Sequence, residues 1–233
     1  GQGQAQGQVV HPENEDLNLT VSTEASTDLS PLDKLNPPDL QGIYLDNTAI
    51  KDRDLVHLTG LTSLKELSLC NTNISDIGLE NIQCLSSLLH LGISGTKIND
   101  DGLAHLENLT SLISLGLGGT KIGDVGLIHL QKLTALRELY LDDCVRISDM
   151  GLANLKGLTA LEKLDLHGTQ VSDLGLAHLN GLTSLRLLEL FGLPISEIGL
   201  AHLKGLISLE RLSLHYTRIN DNGLVYLRDM GNL

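Results

Sequence analysis

The sequence is organised by a pattern of apolar positions that returns about every 24 residues. In the stretch 64–87, a first leucine is followed by apolar residues at positions 4, 6, 11, 16, 19 and 22. The same seven positions are apolar in all copies, which begin at residues 40, 64, 88, 112, 136, 161, 185 and 209. Residues 40–233 are therefore predicted to form one elongated array of eight repeats.

The spacing inside each copy predicts two short elements. Positions 4 and 6 have the two-residue period of a strand, whereas positions 16, 19 and 22 share one face of a helix. One copy cannot enclose seven apolar side chains, so neighbouring copies must stack and bury them in a continuous core. Leucine and isoleucine fill nearly all of these positions, which explains how a chain with 2% aromatic residues can build a core.

The consensus LxxLxLxxTxIxDxGLxxLxxL resembles the leucine-rich repeat, in a variant with Thr where many members have Asn. The resemblance covers residues 40–233 and implies an α/β solenoid with parallel strands on its concave side and helices on its convex side. The fifth copy, which carries LYLDDCVRISDMGLANL and one inserted residue, resembles the cysteine-containing repeats common in substrate receptors of F-box ubiquitin ligases. The sequence has no F-box-like segment.

Three polar positions of the repeat have predicted structural roles. Position 9 is Thr in six copies, and its hydroxyl is expected to bond backbone groups of adjacent turns. Position 13 is acidic in every copy and, like the Ser or Asn usual at position 12, precedes the helix, which indicates capping of the positive helix end. A calcium ladder is the alternative, but isolated acids supply too few oxygens. Position 15 is Gly in seven copies, which predicts close backbone approach between turns.

Position 18 is often His, which raises the alternative of a metal-binding or pH-sensing row. Histidines in consecutive copies occur only as His105/His129 and His178/His202. We therefore predict a polar flank beside the helix core, with no metal and no cofactor.

The segment before the array is predicted in two parts. Residues 1–16, rich in Gly, Gln and acids, are expected to be disordered or a linker. Residues 17–39 combine an alternating stretch, DLNLTVS, with a helix start at Ser30-Pro31 and an inward Leu35. They are predicted to form a degenerate cap, with a plain linker as the alternative. At the other end, Leu233 begins a ninth copy without a polar cap, so we expect either further chain or contact with another subunit there.

Composition narrows the choice of partner and compartment. The net charge of −13 disfavours nucleic acid, and no apolar run approaches the roughly 20 residues of a membrane span. Cys70, Cys84 and Cys144 are an odd number without paired spacing, which predicts free or buried thiols. This favours the cytoplasm over secretion or the cell surface, although many secreted bacterial proteins also lack disulfides. The opening residues GQGQAQGQ lack the basic and apolar regions of a signal peptide, so none is expected in them.

The outward strand positions differ along the array. They are mostly small in the second to fourth copies, which predicts a shallow trough or no function, and large and mixed in the later copies. Exposed aromatic residues beside charges have the composition of interface hot spots. The strand preference of Tyr and Phe is the alternative, but it leaves unexplained why the Gly-rich copies lack them. The predicted contact residues are Tyr140, Asp142, Lys163, Asp165, His167, Glu189, Phe191, Arg211, His215 and Tyr216.

The pattern as a whole predicts a non-catalytic module that binds another protein. The sequence has no phosphate loop, CxxC pair or HExxH motif, and no local nucleophile joins His167 and His215. Two alternatives remain open: the substrate-recognition part of a ubiquitin-ligase or bacterial effector assembly, and a surface adhesin or glycan-binding repeat protein.

Overall fold

A computed structural model describes residues 17–21, 28–34 and 40–233; the segment 1–16 and Leu35 lie outside them. The described residues form one sheet of nine parallel strands in chain order. The strands are β1 (Leu17–Thr20), β2 (Leu40–Tyr44), β3 (Glu66–Ser68), β4 (His90–Gly92), β5 (Ser114–Gly116), β6 (Glu138–Tyr140), β7 (Lys163–Asp165), β8 (Leu187–Glu189) and β9 (Arg211–Ser213).

Each connection between strands from β2 onward contains one or two turns of helix, and one such turn also lies between β1 and β2. The α-helices are α1 (Asp76–Leu79), α2 (Asp149–Leu152), α3 (Asp173–Leu176) and α4 (Glu197–Leu203). The 3-10 helices are Ser30–Lys34, Asp52–Leu58, Asp100–Leu106, Gly126–Leu130, Ala153–Leu155, Ala177–Leu179 and Asp221–Leu227. Strands line the concave side of this α/β solenoid and helices its convex side. A repeat of 24 residues leaves room for little more than one helical turn, which is the length at which 3-10 geometry is common.

The strands pair in phase, so equivalent residues of neighbouring repeats lie side by side. Leu67 pairs with Leu91, and Leu139 pairs with Leu164 despite the residue inserted in the fifth copy. The apolar repeat positions of copies one to seven are all buried in one cluster. The eighth copy is less covered, and its Leu212 and Leu214 are partly exposed at the edge of the sheet. A partner contact at this end stays a prediction.

The segment before the array adds to both the sheet and the core. Strand β1 pairs with β2, and Leu29 and Leu32 are buried in the core cluster. The backbone N–H of Ser30 donates to Asp28 Oδ1 at 3.0 Å, where the short helix begins. These contacts place the segment on the first repeat, and a capping role for residues 17–39 stays a prediction.

The threonines at position 9 bond within their own repeat, so the expected bonds to adjacent turns are wrong. Thr48 Oγ1 donates to the carbonyl of Leu45 at 2.6 Å, and other copies repeat this geometry. The tight turn after the strand brings that carbonyl, three residues back, directly under the hydroxyl. Cys144, which replaces Thr in the fifth copy, contacts the preceding repeat instead, with its Sγ 3.2 Å from the Leu117 carbonyl.

The acids at position 13 bond to the following repeat and do not cap their own helices, so the capping prediction is wrong for position 13. It is confirmed for Ser or Asn at position 12 in several copies. Asp124 Oδ1 accepts from the backbone N–H of Ser148 at 2.7 Å, and its Oδ2 accepts from the Ser148 hydroxyl at 2.6 Å. Ser148 itself caps α2, since its side chain accepts from the N–H of Met150. A Cβ on Gly151 would lie 2.4 Å from Asp124 Oδ1, so the close neighbour of that glycine is a carboxylate.

Several position-18 histidines flank the helices as polar residues. His57 Nδ1 lies 2.9 Å from Asp33 Oδ1, and His129 Nδ1 lies 2.6 Å from Glu107 Oε1. In the part of the chain that the structure describes, no three His, Cys, Asp or Glu side chains are placed to hold a metal ion. No helix in that part is long and apolar enough to cross a membrane.

Candidate functional site

The outward strand positions form rows that cross the concave face. In the row of position 5, Tyr140 of β6, Asp165 of β7 and Glu189 of β8 are paired neighbours. Adjacent strands are separated by about 4.8 Å, so these three side chains share one small area. His167 and Phe191 stand two residues after Asp165 and Glu189, in the turns that follow β7 and β8. The in-phase strands therefore bring most of the predicted contact residues together.

The row of position 3 contains an ion pair at its centre. Lys163 Nζ donates to Glu138 Oε1, and the Tyr140 hydroxyl donates to Glu138 Oε2 at 3.2 Å. Burial opposes ionisation of Glu138, but Lys163 and these hydrogen bonds hold the pKa of its carboxyl below the ordinary value. The same pair raises the pKa of Lys163. Lys163, one of the predicted contact residues, is thus paired with Glu138, whereas Arg211 in the same row is exposed.

The row of position 5 and its neighbour Asp142 carry negative charge that the fold does not neutralise. In the described part of the chain, Asp142, Asp165 and Glu189 take part in no salt bridge. Asp165 Oδ1 accepts from the backbone N–H of His167 at 3.0 Å. Burial raises the pKa of the Asp165 carboxyl, and the carboxylates of Asp142 and Glu189 raise it further. A half-buried carboxyl between two others favours a cation nearby.

An aromatic stack, which we call the aromatic ridge, consists of His167, Phe191 and Tyr216. The ring of Phe191 meets His167 edge to face at 4.8 Å and Tyr216 at 5.1 Å. Phe191 is 38% exposed and Tyr216 is 82% exposed, so the ridge presents apolar surface to solvent. Such edge-to-face pairs hold rings in fixed orientations. His215, the remaining predicted contact, is exposed beside Tyr216.

Tyr216 has an unusual backbone for a bulky residue, with φ at +59°. Position 8 is left-handed in every repeat, and the other repeats place Asn, Asp or Gly there. The residues at this position are Asn47, Asn71, Gly95, Gly119, Asp143, Gly168, Gly192 and Tyr216. A left-handed backbone is unfavourable for tyrosine. Among the eight repeats, only the last places a large side chain, Tyr216, at this position.

A shallow groove of about 270 Å³ lies where the small residues of the early copies predicted a trough. Its walls are Tyr44 and Tyr140, which stand four strands apart in the row of position 5. Its floor includes Ser68, Gly92 and Gly116. Tyr140 therefore borders two features, the groove on one side and the acidic row on the other.

Tyr44 is a groove residue that was not among the predicted contacts. Its hydroxyl donates to Glu66 Oε2, and burial together with that carboxylate raises the pKa of Tyr44 to about 12. The signal was present in the sequence, because Tyr44 is an outward aromatic residue. It was missed because the residues that complete the groove lie in four other repeats.

Comparison with solved structures shows repeat proteins of two kinds. Internalin C2 of Listeria monocytogenes is 28% identical over 88% of this chain and 81% of its own, with a TM-score of 0.70. A second internalin of the same bacterium, internalin F, is 27% identical over 88% of this chain and 62% of its own, with a TM-score of 0.66. The chain is a leucine-rich-repeat protein by fold and by sequence pattern.

The leucine-rich-repeat fold also matches the ectodomain of the Arabidopsis receptor kinase HAESA, solved in complex with a peptide hormone ligand. The identity is 20% over 78% of this chain and 35% of that one, with a TM-score of 0.57, which shows the fold alone. No protein-family model and no curated protein matches the sequence.

Proposed function

We propose that this leucine-rich-repeat chain is a non-catalytic module that binds another protein through the concave face of β6–β9. The observation that carries the proposal is the aromatic ridge beside the acidic row. Neither feature is needed by the leucine core. Exposing the apolar rings to water and partly burying the carboxylates are both unfavourable. Aromatic anchors flanked by charges are the usual composition of an energetic hot spot.

The similar structures support a binding role without identifying a partner. HAESA has the same fold and was solved with a peptide hormone ligand bound. That ligand belongs to HAESA, and its chemistry is not transferred to this chain. A peptide-sized ligand on a leucine-rich-repeat ectodomain does agree with a module that recognises a short segment of a partner.

The proposal is tested by replacing two anchors and measuring partner binding. A partner captured by the full chain should bind the Tyr140→Ala/Phe191→Ala variant at least about tenfold more weakly, since truncating a hot-spot residue costs about 2 kcal/mol or more. The matched control is Leu174→Ala/Ile198→Ala, which removes two more exposed apolar side chains from the convex side. Equal affinity of the anchor variant and the wild type would refute the proposal.

A glycan-binding module is a second candidate, because exposed rings beside carboxylates also suit sugars. A glycan array probed with the full chain separates the two: reproducible glycan binding lost on Phe191→Ala would favour the sugar. The third possibility, a recognition part of a ubiquitin-ligase or effector assembly, keeps the same binding face. It would be recognised by an F-box or secretion domain in the full gene.

A further inference from the structure

The acidic row and the aromatic ridge are adjacent parts of one unpartnered sheet face. Asp165 and Glu189 are paired neighbours on β7 and β8. His167 and Phe191 follow them by two residues, in the turns just beyond the two strands, so their backbones lie within about 7 Å of the carboxylate residues. A side chain of ordinary length can therefore touch a carboxylate of the row and a ring of the ridge together.

The charge on this face determines which side chain would be stabilised there. The neighbouring cations make no salt bridge to the acidic row: Lys163 is paired with Glu138, and Arg211 makes no salt bridge within the described residues. Burial and the carboxylates of Asp142 and Glu189 raise the pKa of Asp165, and the backbone N–H and ring of His167 offset this only in part. A cation placed over these oxygens would gain attraction from each carboxylate and remove their mutual repulsion.

The aromatic ridge further restricts which kind of cation fits this face. The rings of Phe191 and Tyr216 are exposed and contact each other edge to face. A planar guanidinium stacks on such a ring and can hydrogen-bond a carboxylate through its two-pronged edge. An ammonium group can make either contact as a point charge but does not match the planar geometry.

We propose that the partner of this face presents a basic side chain, arginine fitting best, that lies over Asp165 and Glu189 and against Phe191. This inference rests on the proposed function, since it specifies the chemistry recognised by the same face. The occupant is a segment of a partner protein, and its basic residue is the anchor that complements the acidic row.

The test uses random linear peptides displayed on phage and selected on the immobilised full chain. Selected sequences should be enriched in Arg or Lys, and synthetic copies should bind in calorimetry. Affinity should fall at least about tenfold for Asp165→Asn/Glu189→Gln, and equally when the peptide arginine is replaced by neutral citrulline. Asp165→Asn keeps the oxygen that accepts from His167, so the local backbone is preserved. Glu80→Gln, an exposed charge beyond the end of α1, is the control and should bind as wild type.

Two results overturn the inference and separate it from the proposed function. Peptides that are lost on Tyr140→Ala/Phe191→Ala but lack basic residues, or that bind Asp165→Asn/Glu189→Gln normally, refute the basic anchor and leave the binding face intact. A selection that yields no peptide dependent on either variant refutes both.

Discussion

The carboxylate of Asp76 lies against Gly102 of the next repeat, where a Cβ would stand 2.3 Å from Asp76 Oδ1. The same oxygen accepts from the backbone N–H of Asn99 at 2.9 Å. Glycine near a helix start costs about 0.5–1 kcal/mol relative to alanine. Here the missing side chain leaves room for the carboxylate that joins one repeat to the following one, so the inter-repeat contact requires both the aspartate and the glycine.

Gly102→Ala should lower the free energy of unfolding by about 1–3 kcal/mol, because the new methyl displaces a hydrogen-bonded carboxylate. Urea denaturation followed by circular dichroism measures the change. Gly157→Ala is the matched control: nothing lies within 4 Å of a Cβ there, so stability should stay constant or rise by up to about 1 kcal/mol. Equal effects at the two glycines would contradict the coupling of Gly102 to Asp76.

The pair should also be non-additive. Asp76→Ala alone removes the bonds to Asn99 and should cost about 1–3 kcal/mol. In the double variant the methyl on residue 102 no longer meets a carboxylate, so the loss should be smaller than the sum by about 0.5 kcal/mol or more. A double-mutant cycle in urea gives this difference directly. Additivity within experimental error would show that the two residues are independent.

The solenoid was predictable from sequence, whereas the inter-repeat contacts were only partly so. Apolar spacing places each leucine in the core because burial depends on periods within one repeat. Asp76 was interpreted as a cap because it precedes its own helix, and its true partner, Asn99, lies in the next repeat. The sequence does contain a signal for this contact: an acid at position 13 of one copy is followed, in the next copy, by Gly at position 15. The first copy carries Asp54 in place of that glycine.

The candidate site was predictable as a set of outward positions but not as an arrangement. The alternation along each strand identifies Phe191 as outward. Its contacts with His167 and Tyr216 depend on how three strands align, and Tyr216 lies one position further along its repeat. Pairing of Lys163 with Glu138 likewise needs the register across the insertion in the fifth copy. The sequence predicts which side chains of one strand point outward, but it does not predict which charges of neighbouring strands form ion pairs.

Tyr216→Asn should stabilise the fold while weakening partner binding. Left-handed backbone costs an ordinary residue about 1–2 kcal/mol, and Asn tolerates it, as Asn47 and Asn71 do at the same position. We expect a net gain of up to about 1 kcal/mol in urea, since the lost ring contact is largely exposed. Tyr216→Phe keeps both the strain and the ring, so its stability should match the wild type. A clear loss of stability in Tyr216→Asn would contradict the strain argument.

The three thiols should react in order of exposure. Cys84 is exposed, Cys70 is half-buried and Cys144 is buried. Burial also raises the pKa of the Cys144 thiol, which reduces the reactive thiolate. Labelling of the native protein with a maleimide, followed by peptide mass spectrometry, should modify Cys84 first and Cys144 only in denaturant. Cys84→Ser should remove the fastest phase, and rapid native labelling of Cys144 would contradict its placement in the core.

Asp165→Asn should raise stability at neutral pH even though it removes a charge from the proposed site. Burial and the neighbouring carboxylates Asp142 and Glu189 raise the folded-state pKa of Asp165 above its ordinary value of 3.8. The folded state therefore holds the proton more tightly than the unfolded state. Ionisation carries no penalty below the unfolded pKa, and the penalty is complete above the folded pKa.

The difference in unfolding free energy between Asp165→Asn and the wild type should consequently grow as pH rises from below 4 to neutrality, and then stay level. Urea titrations at several pH values measure it. Asp101→Asn, an exposed carboxylate on the convex side, is the control and should show no comparable trend. A difference that shrinks with rising pH would mean that Asp165 is stabilised as a carboxylate by the fold itself. In that case the acidic row would be a structural element, because a carboxylate that the free protein already stabilises does not need a cation from a partner.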